Sequence, residues 1–576
     1  MKFALLFIIK FSILVSINCL AAIPIIPGLQ GFGVETVAGR GGEIIRVTNL
    51  NSSGEGSLGW ALFQSGPRTI IFDVSGTIWI QDHLQIENPY VTVAFQTAPS
   101  PGITLAGAGI EIRTHDVLLH HPRIRVGDLI NDAYPGDRDG IAVKAGSYNV
   151  VIDHCSVSWG VDENVSVSGS AETTEQDNIH DVTFSNCIIA EGLANSIHPK
   201  GEHSKGMLIL DYSENIAVIK NVFAHNVARS PSLKGATSSF VANNLIYNAG
   251  ASATAINEGL DSGPVIASII GNRYLLGPDS SFGIDSPFAD DDDEYLSAIE
   301  VFEHTSPDSK IYLEDNSSSH SNQQIYIDWL QHSSPLTPLQ GEWSIVRLNT
   351  GFIPQTNTVP IDINDYVPLA VSDLTDILYT TAGSRPLDRD SVDSRIIDEI
   401  KNGTGTIINS QDEVSGWPTL NENSEPNVLP NAPNNDDDND GYTNLEEWLH
   451  YKALVVEQED VQPWMSSQVD TTPTEKDSNH INYFLLQIGT ELVNDASVDY
   501  FTQDGTATSG QDYVFSSGTA TIKAGSTHTV IGIEIIGDNA KENTETFMLT
   551  IKNPIGASFP DGVTEISVIR TIIDDD

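Results

Sequence analysis

Arg229 and Lys234 stand five residues apart around Pro231, in the stretch NVARSPSLKG (226–235) of a chain with formal net charge −50. Two cations so placed either decorate a turn between strands or form a docking site for an acidic polymer. Their surroundings favour the second reading. Residues 111–234 hold 10 of the 28 lysines and arginines and 8 of the 15 histidines, a local cationic bias within an acidic protein. Within that region NSIHPKGEHSKG (195–206) is dense in His, Lys and Gly. His203 could serve as a base near neutral pH, or could simply make one hydrogen bond in its loop. His154, in IDHCS (152–156), alternates with strand residues and is expected to brace the fold.

A second constellation is acidic. NNDDDNDGYTNLEEWL (434–449) matches D-x-D-x-D-G with a closing glutamate: Asp436, Asp438, Asp440, Gly441, Tyr442 through its carbonyl, Asn444 and Glu447. Alternating aspartates put oxygens on one side of a tight loop, the glycine permits the bend, and the glutamate closes with two oxygens. This predicts a structural Ca2+ site; the plainer alternative is a solvated acidic linker. ADDDDEY (289–295) lacks both glycine and spacing and reads as a solvated loop.

The excess of 78 acidic over 28 basic residues speaks against nucleic acid or an anionic membrane as partner. Residues 1–21, MKFALLFIIKFSILVSINCLA, read as a secretory signal, which predicts an extracellular protein. No later stretch is apolar enough to span a bilayer, and a monomer is expected. Besides Cys19 there are two cysteines, Cys155 and Cys187, 32 residues apart. They could form a disulfide between neighbouring turns or stack as buried thiols. Three cysteines in all make a zinc cluster improbable.

The elements that must position these groups are short and β-branched. TIIFDV (69–74), YVTVAF (90–95), NVVIDH (149–154), DVTFSN (181–186), NIAVIKN (215–221), SSFVANN (238–244) and PVIASIIGN (264–272) recur without helical periodicity. Asn186, Asn221, Asn244 and Asn272 close four of them at intervals of 35, 23 and 28. Such drifting repeats signal a solenoid whose stacked turns bury a shared core, with the asparagines as a ladder at one bend. GEGSLGWALFQ (54–64) has Leu58, Ala61 and Leu62 at helical spacing and predicts a short cap on the open end. After a polar linker at about 451–480, residues 496–551 alternate as a β-sandwich does. The expected organisation is all-β: signal 1–21, parallel β-helix 22–425, acidic calcium loop and linker 426–480, sandwich 481–576.

GRGGEIIRVTNLNSSGEGSLGWAL (39–62), FQTAPSPGITLAG (95–107), RIRVGD (123–128), VIDHCSVSWGVDEN (151–164) and RPLDRDSVDSRIIDEIKNGTGTIINSQDEVSGWP (385–418) together resemble secreted bacterial pectate lyases. That family consists of right-handed parallel β-helices cleaving acidic polysaccharide by β-elimination. The resemblance implies that Arg229, in Ala228-Arg229-Ser230-Pro231, is the base and that Lys234 grips the substrate carboxylate. It makes Lys200 a further substrate-gripping and catalytic candidate. It also implies Ca2+ ligands at Asp137, Asp139 and Glu163. The family often has an aspartate four residues after that glutamate, where this chain has Val167. Asp162 could substitute, although neighbours on a strand face opposite ways. Polygalacturonate is the implied substrate, with another uronic acid polymer or methylated pectin as alternatives. A β-helix glycoside hydrolase using paired carboxylates and a carbohydrate-binding adhesin are the readings from other classes. DGTATSGQDY, IKAGST and GDNAKENTETF resemble a Calx-beta domain, which implies calcium ligands among Asp538, Glu542 and Asp574, Asp575 and Asp576.

Overall fold

The computed structural model describes residues 23–128, 138–169, 178–258, 263–280, 297–319, 341–363, 366–430, 432–436, 441–457, 464–465, 475, 479–487, 495–523, 528–538, 540–542, 544–557, 559 and 564–572. Three parallel sheets wind into a β-helix. The first has ten strands, from Glu43–Val47 to Lys310–Glu314, and all seven β-branched runs of the sequence lie in it. The second has nine strands, from Leu84–Ile86 to Val346–Leu348. The third has nine parallel strands between Val74–Trp79 and Ser317–Ser318, plus Asn423–Ser424 antiparallel on its edge. Strands in the second and third sheets are often only two to four residues long, such as Ile141–Lys144, Arg123–Arg125 and Ser232–Leu233. Runs that short carry no readable alternation in sequence.

Inward-facing Val150, Ile152, Val182, Phe184, Ile216 and Val218 belong to one continuous core. The outer face of the first sheet is buried too, as parallel sheets require. Ile71 and Ala94 pack under Leu445 and Leu449 of helix Asn444–Glu457, Leu118 and Val151 under Ile25 and Val34, and Ala217 and Phe240 beside Ile363. Helices Val371–Thr381 and Ser391–Asn402 cover the third sheet through Leu374, Leu378, Ile396 and Ile400. Helix Leu58–Phe63 forms as its spacing suggests, with Ser57 as N-cap and Leu58, Ala61 and Leu62 buried.

The asparagine ladder differs from expectation by one residue. Asn221, Asn244, Asn272 and Asn316 are its rungs, each amide donating to the next Oδ1 at 2.9 to 3.0 Å. Asn186 stands outside: it takes a left-handed φ of 54° at the bend, and its amide donates to Asp153. Cys187 occupies the rung instead, its N–H donating to Asn221 Oδ1 at 2.9 Å. Cys155 lies one coil before, its N–H on Cys187 Sγ at 3.1 Å. Both cysteines are free and buried, so they continue the ladder as thiols and form no disulfide. Asn244→Ala removes the acceptor of the Asn221 N–H in a dry interior. It should cost about 1–3 kcal/mol, read as a lower denaturation midpoint.

The C-terminal region is a sandwich around Phe484, Ile533, Phe547 and Leu549. Its sheets are Trp464–Met465, His480–Gln487 and His528–Ile535, and Ser517–Ile522, Ala496–Asp504, Glu545–Ile555 and Glu565–Ile572. The 451–480 stretch is therefore not simply a linker. Residues through Glu457 continue a helix packed on the β-helix, because Leu445 and Leu449 cover its first sheet, and Trp464–Met465 pairs with Leu486 and Gln487. No helix among the described residues is long and apolar enough to cross a membrane.

Candidate active site

Four successive coils of the second sheet converge. Asp139 precedes strand Ile141–Lys144, Glu163 opens Glu163–Ser168, Lys205 opens Lys205–Ile209, and Arg229 precedes Ser232–Leu233. Parallel register sets Glu163 beside Lys205, and Lys205 bridges to Ala228, so groups distant in sequence become neighbours on one sheet edge. Gly140 is required by close approach: a Cβ there would lie 2.1 Å from Val157 Cγ1 and 2.7 Å from the Asn164 carbonyl. The Asp139-Gly140 pair is thus a packing device, not only a turn.

Asp139 accepts from the Glu163 N–H at 3.1 Å and from the Ser166 hydroxyl. Asp139, Asp162 and Glu163 each offer an oxygen within 4.8 Å of the others. Strand alternation does not separate Asp162 from Glu163, because Asp162 sits in the bend before the strand starts. Val167 lies in the apolar core. A carboxylate there would point into the helix interior, and Asp162 is the third carboxylate of the cluster. Asp137 lies outside the described residues.

Arg229 bridges two carboxylates. Nη1 donates to Glu163, and Nε donates to Glu258 Oε2 at 3.0 Å. Lys234 Nζ stands 3.6 Å from the same Glu258 oxygen. Burial lowers the Arg229 pKa, but Glu258 and then Glu163 outweigh it and hold the guanidinium above its ordinary value. Glu258, opposed by burial but held by Arg229 and Lys234, sits at about 2. Lys205 is pushed down by burial and then by Arg229. Burial, with Asp139 and Asp162 close by, raises the Glu163 carboxyl to about 8. A buried, oxygen-only cluster crowded enough to resist ionisation fits a hard divalent cation.

His203 Nε2 lies 2.6 Å from Asp162, and His198 Nε2 3.6 Å, the two rings stacked at 3.9 Å. Burial would raise the Asp162 pKa, but His203 and then His198 bring it below the usual range. His203 is therefore engaged with the carboxylate cluster and not confined to its loop. Lys200 is exposed, its N–H on His198 Nδ1 at 3.2 Å. The lysine brought next to Arg229 and Glu163 is Lys205.

Residues 465–576 match the Calx-beta domain model. A protein described as probable pectate lyase C from Aspergillus terreus is 37% identical over 272 residues, 47% of this chain and 59% of that one. Its namesake from Aspergillus flavus is 29% identical over 460 residues, 75% of this chain and 96% of that one. The chain is similar to these proteins described as pectate lyases and carries a Calx-beta domain. A solved pectate lyase from Bacillus sp. N165, in complex with trigalacturonate, covers 62% of this chain and 98% of its own chain, at 15% identity and a TM-score of 0.39. The two relatives named are fungal, whereas the motifs had pointed to bacterial lyases. The match to the A. terreus protein spans less than two thirds of that protein's length. The Calx-beta match begins 16 residues before the boundary expected from alternation (465 against 481), because the short strand Trp464–Met465 belongs to the sandwich.

Sequence reasoning missed two residues of the cluster, Lys205 and Glu258. Lys205 sits in NSIHPKGEHSKG, five residues after Lys200, and its register opposite Glu163 and its β-bridge to Ala228 reveal its place. Glu258 carried no motif at all; its role follows from a coil stacked beyond Arg229.

Of the acidic loop, only its two ends are described. Gly441 takes φ 96° and donates its N–H to Asp436 Oδ2 at 3.0 Å. Asp438 and Asp440 lie outside the described residues. Tyr442 donates its hydroxyl to the Pro24 carbonyl at 2.6 Å, Asn444 its amide to the Ala432 carbonyl, and Glu447 lies in the first turn of helix Asn444–Glu457. In the Calx-beta domain Glu542 groups with Asp512 and Glu545, and Asp538 accepts from Ala540 N–H. Residues 574–576 lie outside the described residues.

Proposed function

We propose that the protein is a secreted, calcium-dependent lyase that cleaves polygalacturonate by β-elimination and leaves 4,5-unsaturated oligogalacturonides. The observation carrying this reading is the bridge Glu163–Arg229–Glu258 flanked by Lys205 and Lys234, beside the carboxylates Asp139 and Asp162. Relatives described as pectate lyases support it, as does the apolar leader for export.

Asp139, Asp162 and Glu163, with Asp137, would hold calcium, as would the 436–447 loop at a separate structural site. When bound at the first site, calcium neutralises the substrate carboxylate and acidifies the neighbouring C–H. Lys234 and Lys205 orient the uronate chain through its carboxylates. Arg229 stands where it can take the C5 proton. Glu258 and Glu163 hold it protonated, so its work as a base would require alkaline medium and release from Glu163. His203 fixes Asp162, and Lys200 extends the cationic rim.

Purified protein mixed with polygalacturonate at alkaline pH should produce ultraviolet-absorbing unsaturated ends with calcium and none with a chelator. Chain shortening without unsaturation would instead indicate a hydrolase. Binding without shortening would indicate an adhesin.

A further inference from the structure

A histidine cluster lies at the corner that follows the first sheet. His120 and Asp153 end strands Val117–His120 and Tyr148–Asp153, and His121 and His154 are the left-handed corner residues that follow, at φ 61° and 51°. Glu457, the last residue of helix Asn444–Glu457, reaches the same corner. One ligand atom from each of His120, His121, His154 and Glu457 falls within 4.8 Å of the others. His120 Nε2 lies 3.9 Å and His154 Nδ1 3.8 Å from Glu457 Oε1. A tetrahedral sphere with bonds of about 2.1 Å imposes ligand separations of about 3.4 Å, so little adjustment is needed.

Hydrogen bonding alone leaves this corner incomplete. His120 is 2% exposed, yet its Nε2 makes no hydrogen bond; Asp153 Oδ2, at 3.3 Å, is off line. Gln96 Oε1 is also buried and unpartnered, while Gln96 Nε2 sits 3.0 Å from His120 Nδ1. Exchanging the ends of that amide, which geometry alone does not distinguish, lets Oε1 accept from Nδ1–H. It surrenders a weak 3.4 Å contact to the Leu449 carbonyl and leaves the lone pair of His120 Nε2 facing the cluster. His121 is already committed. Its Nδ1 accepts from the Arg385 N–H at 3.2 Å and its Nε2 faces Glu457 Oε1 at 2.9 Å, so it orients the carboxylate.

We propose that His120, His154 and Glu457, with Asp153 beside them, form a binding site for a first-row divalent metal ion of zinc type. Imidazole nitrogens mixed with carboxylate suit zinc and not calcium, which takes oxygen ligands. A cavity of about 220 Å³ borders His120, Asp153, His154 and Glu457 and leaves room for a water ligand. Binding displaces the proton that His154 now shares with Asp153 at 2.6 Å. The ion ties the helix after the acidic loop to two coils of the solenoid.

The test uses the full chain, stripped by chelator, reloaded with excess calcium to occupy oxygen-only sites, and then given zinc or cobalt. One equivalent of zinc should survive gel filtration, and cobalt should give a visible spectrum of nitrogen ligation. H120Q and E457Q should each weaken binding by about 10-fold or more, while H203Q, at the other histidine pair, should leave it unchanged. If H120Q fails to fold, E457Q carries the test, since its side chain is at a helix end and 18% exposed. No retained zinc, retention undiminished in E457Q, or loss confined to H203Q overturns the site.

Discussion

Replacing Arg229 by alanine is expected to lower the elimination rate by about 10³-fold, within the range that positioned acid–base groups supply, with the fold intact. The Arg229 side chain is 16% exposed, and its guanidinium spans Glu163 and Glu258. An ordinary surface ion pair contributes at most about 1 kcal/mol, and its loss would leave turnover within a few-fold of the parent. The two roles therefore separate cleanly in kcat. Arg229→Lys should recover little, because a point charge cannot bridge both carboxylates. The measurement is initial rate on polygalacturonate with saturating calcium, beside a circular dichroism control. A loss below about threefold in both variants would remove Arg229 from the chemistry and direct attention to His203 or Lys205.

Asp390→Ala should be the most damaging substitution away from that edge. Asp390 caps helix Ser391–Asn402 through the Asp393 N–H and pairs with Arg125, at 2.9 Å, with both side chains fully buried. Asp393 joins the pair at 2.7 Å and also accepts from Ser156 at 2.6 Å. Breaking a buried pair costs up to about 3–5 kcal/mol, here moderated because Arg125 keeps Asp393, and the lost cap adds about 1 kcal/mol. Burial would raise the Asp390 pKa, but Arg125 and then Arg123 bring it to about 2 against an ordinary 3.8. A depressed carboxylate stabilises the fold above its unfolded pKa, so this contribution is complete above about pH 4 and fades as pH falls through 2. Urea denaturation at pH 7 should show the full loss in Asp390→Ala and a smaller one in Asp390→Asn, which keeps a capping oxygen. A shift below about 1 kcal/mol would mean that apolar packing alone holds the helix to the third sheet.

What could be read in the sequence followed from strand length. The first sheet has strands of four to seven residues in most coils, long enough for β-branched runs to show, and all seven runs found belong to it. The second sheet was hidden, because strands such as Ser232–Leu233 leave no pattern. It is also the sheet that gathers the reactive groups. Residues with a local motif, Arg229, Asp139 and Glu163, could be singled out in the chain. Lys205 and Glu258 enter only through stacking of coils, a relation that no spacing along the chain encodes. Asn186 was misplaced by one position because a bend residue and a ladder residue are adjacent, and asparagine suits both: it tolerates the left-handed bend and can pair with itself.

The ladder has a bearing on how such a protein can change. Its rungs are separated by 32, 34, 23, 28 and 44 residues, yet each donates its backbone N–H to the side chain of the next. That corner and the paired strands keep their register in every coil, while the turns elsewhere absorb some twenty additional residues without disturbing it. Insertions can therefore be tried coil by coil, like beads of different size on one thread. A new sugar-contacting loop could be grafted into the long turn between Asn272 and Asn316 while the stack below keeps its alignment.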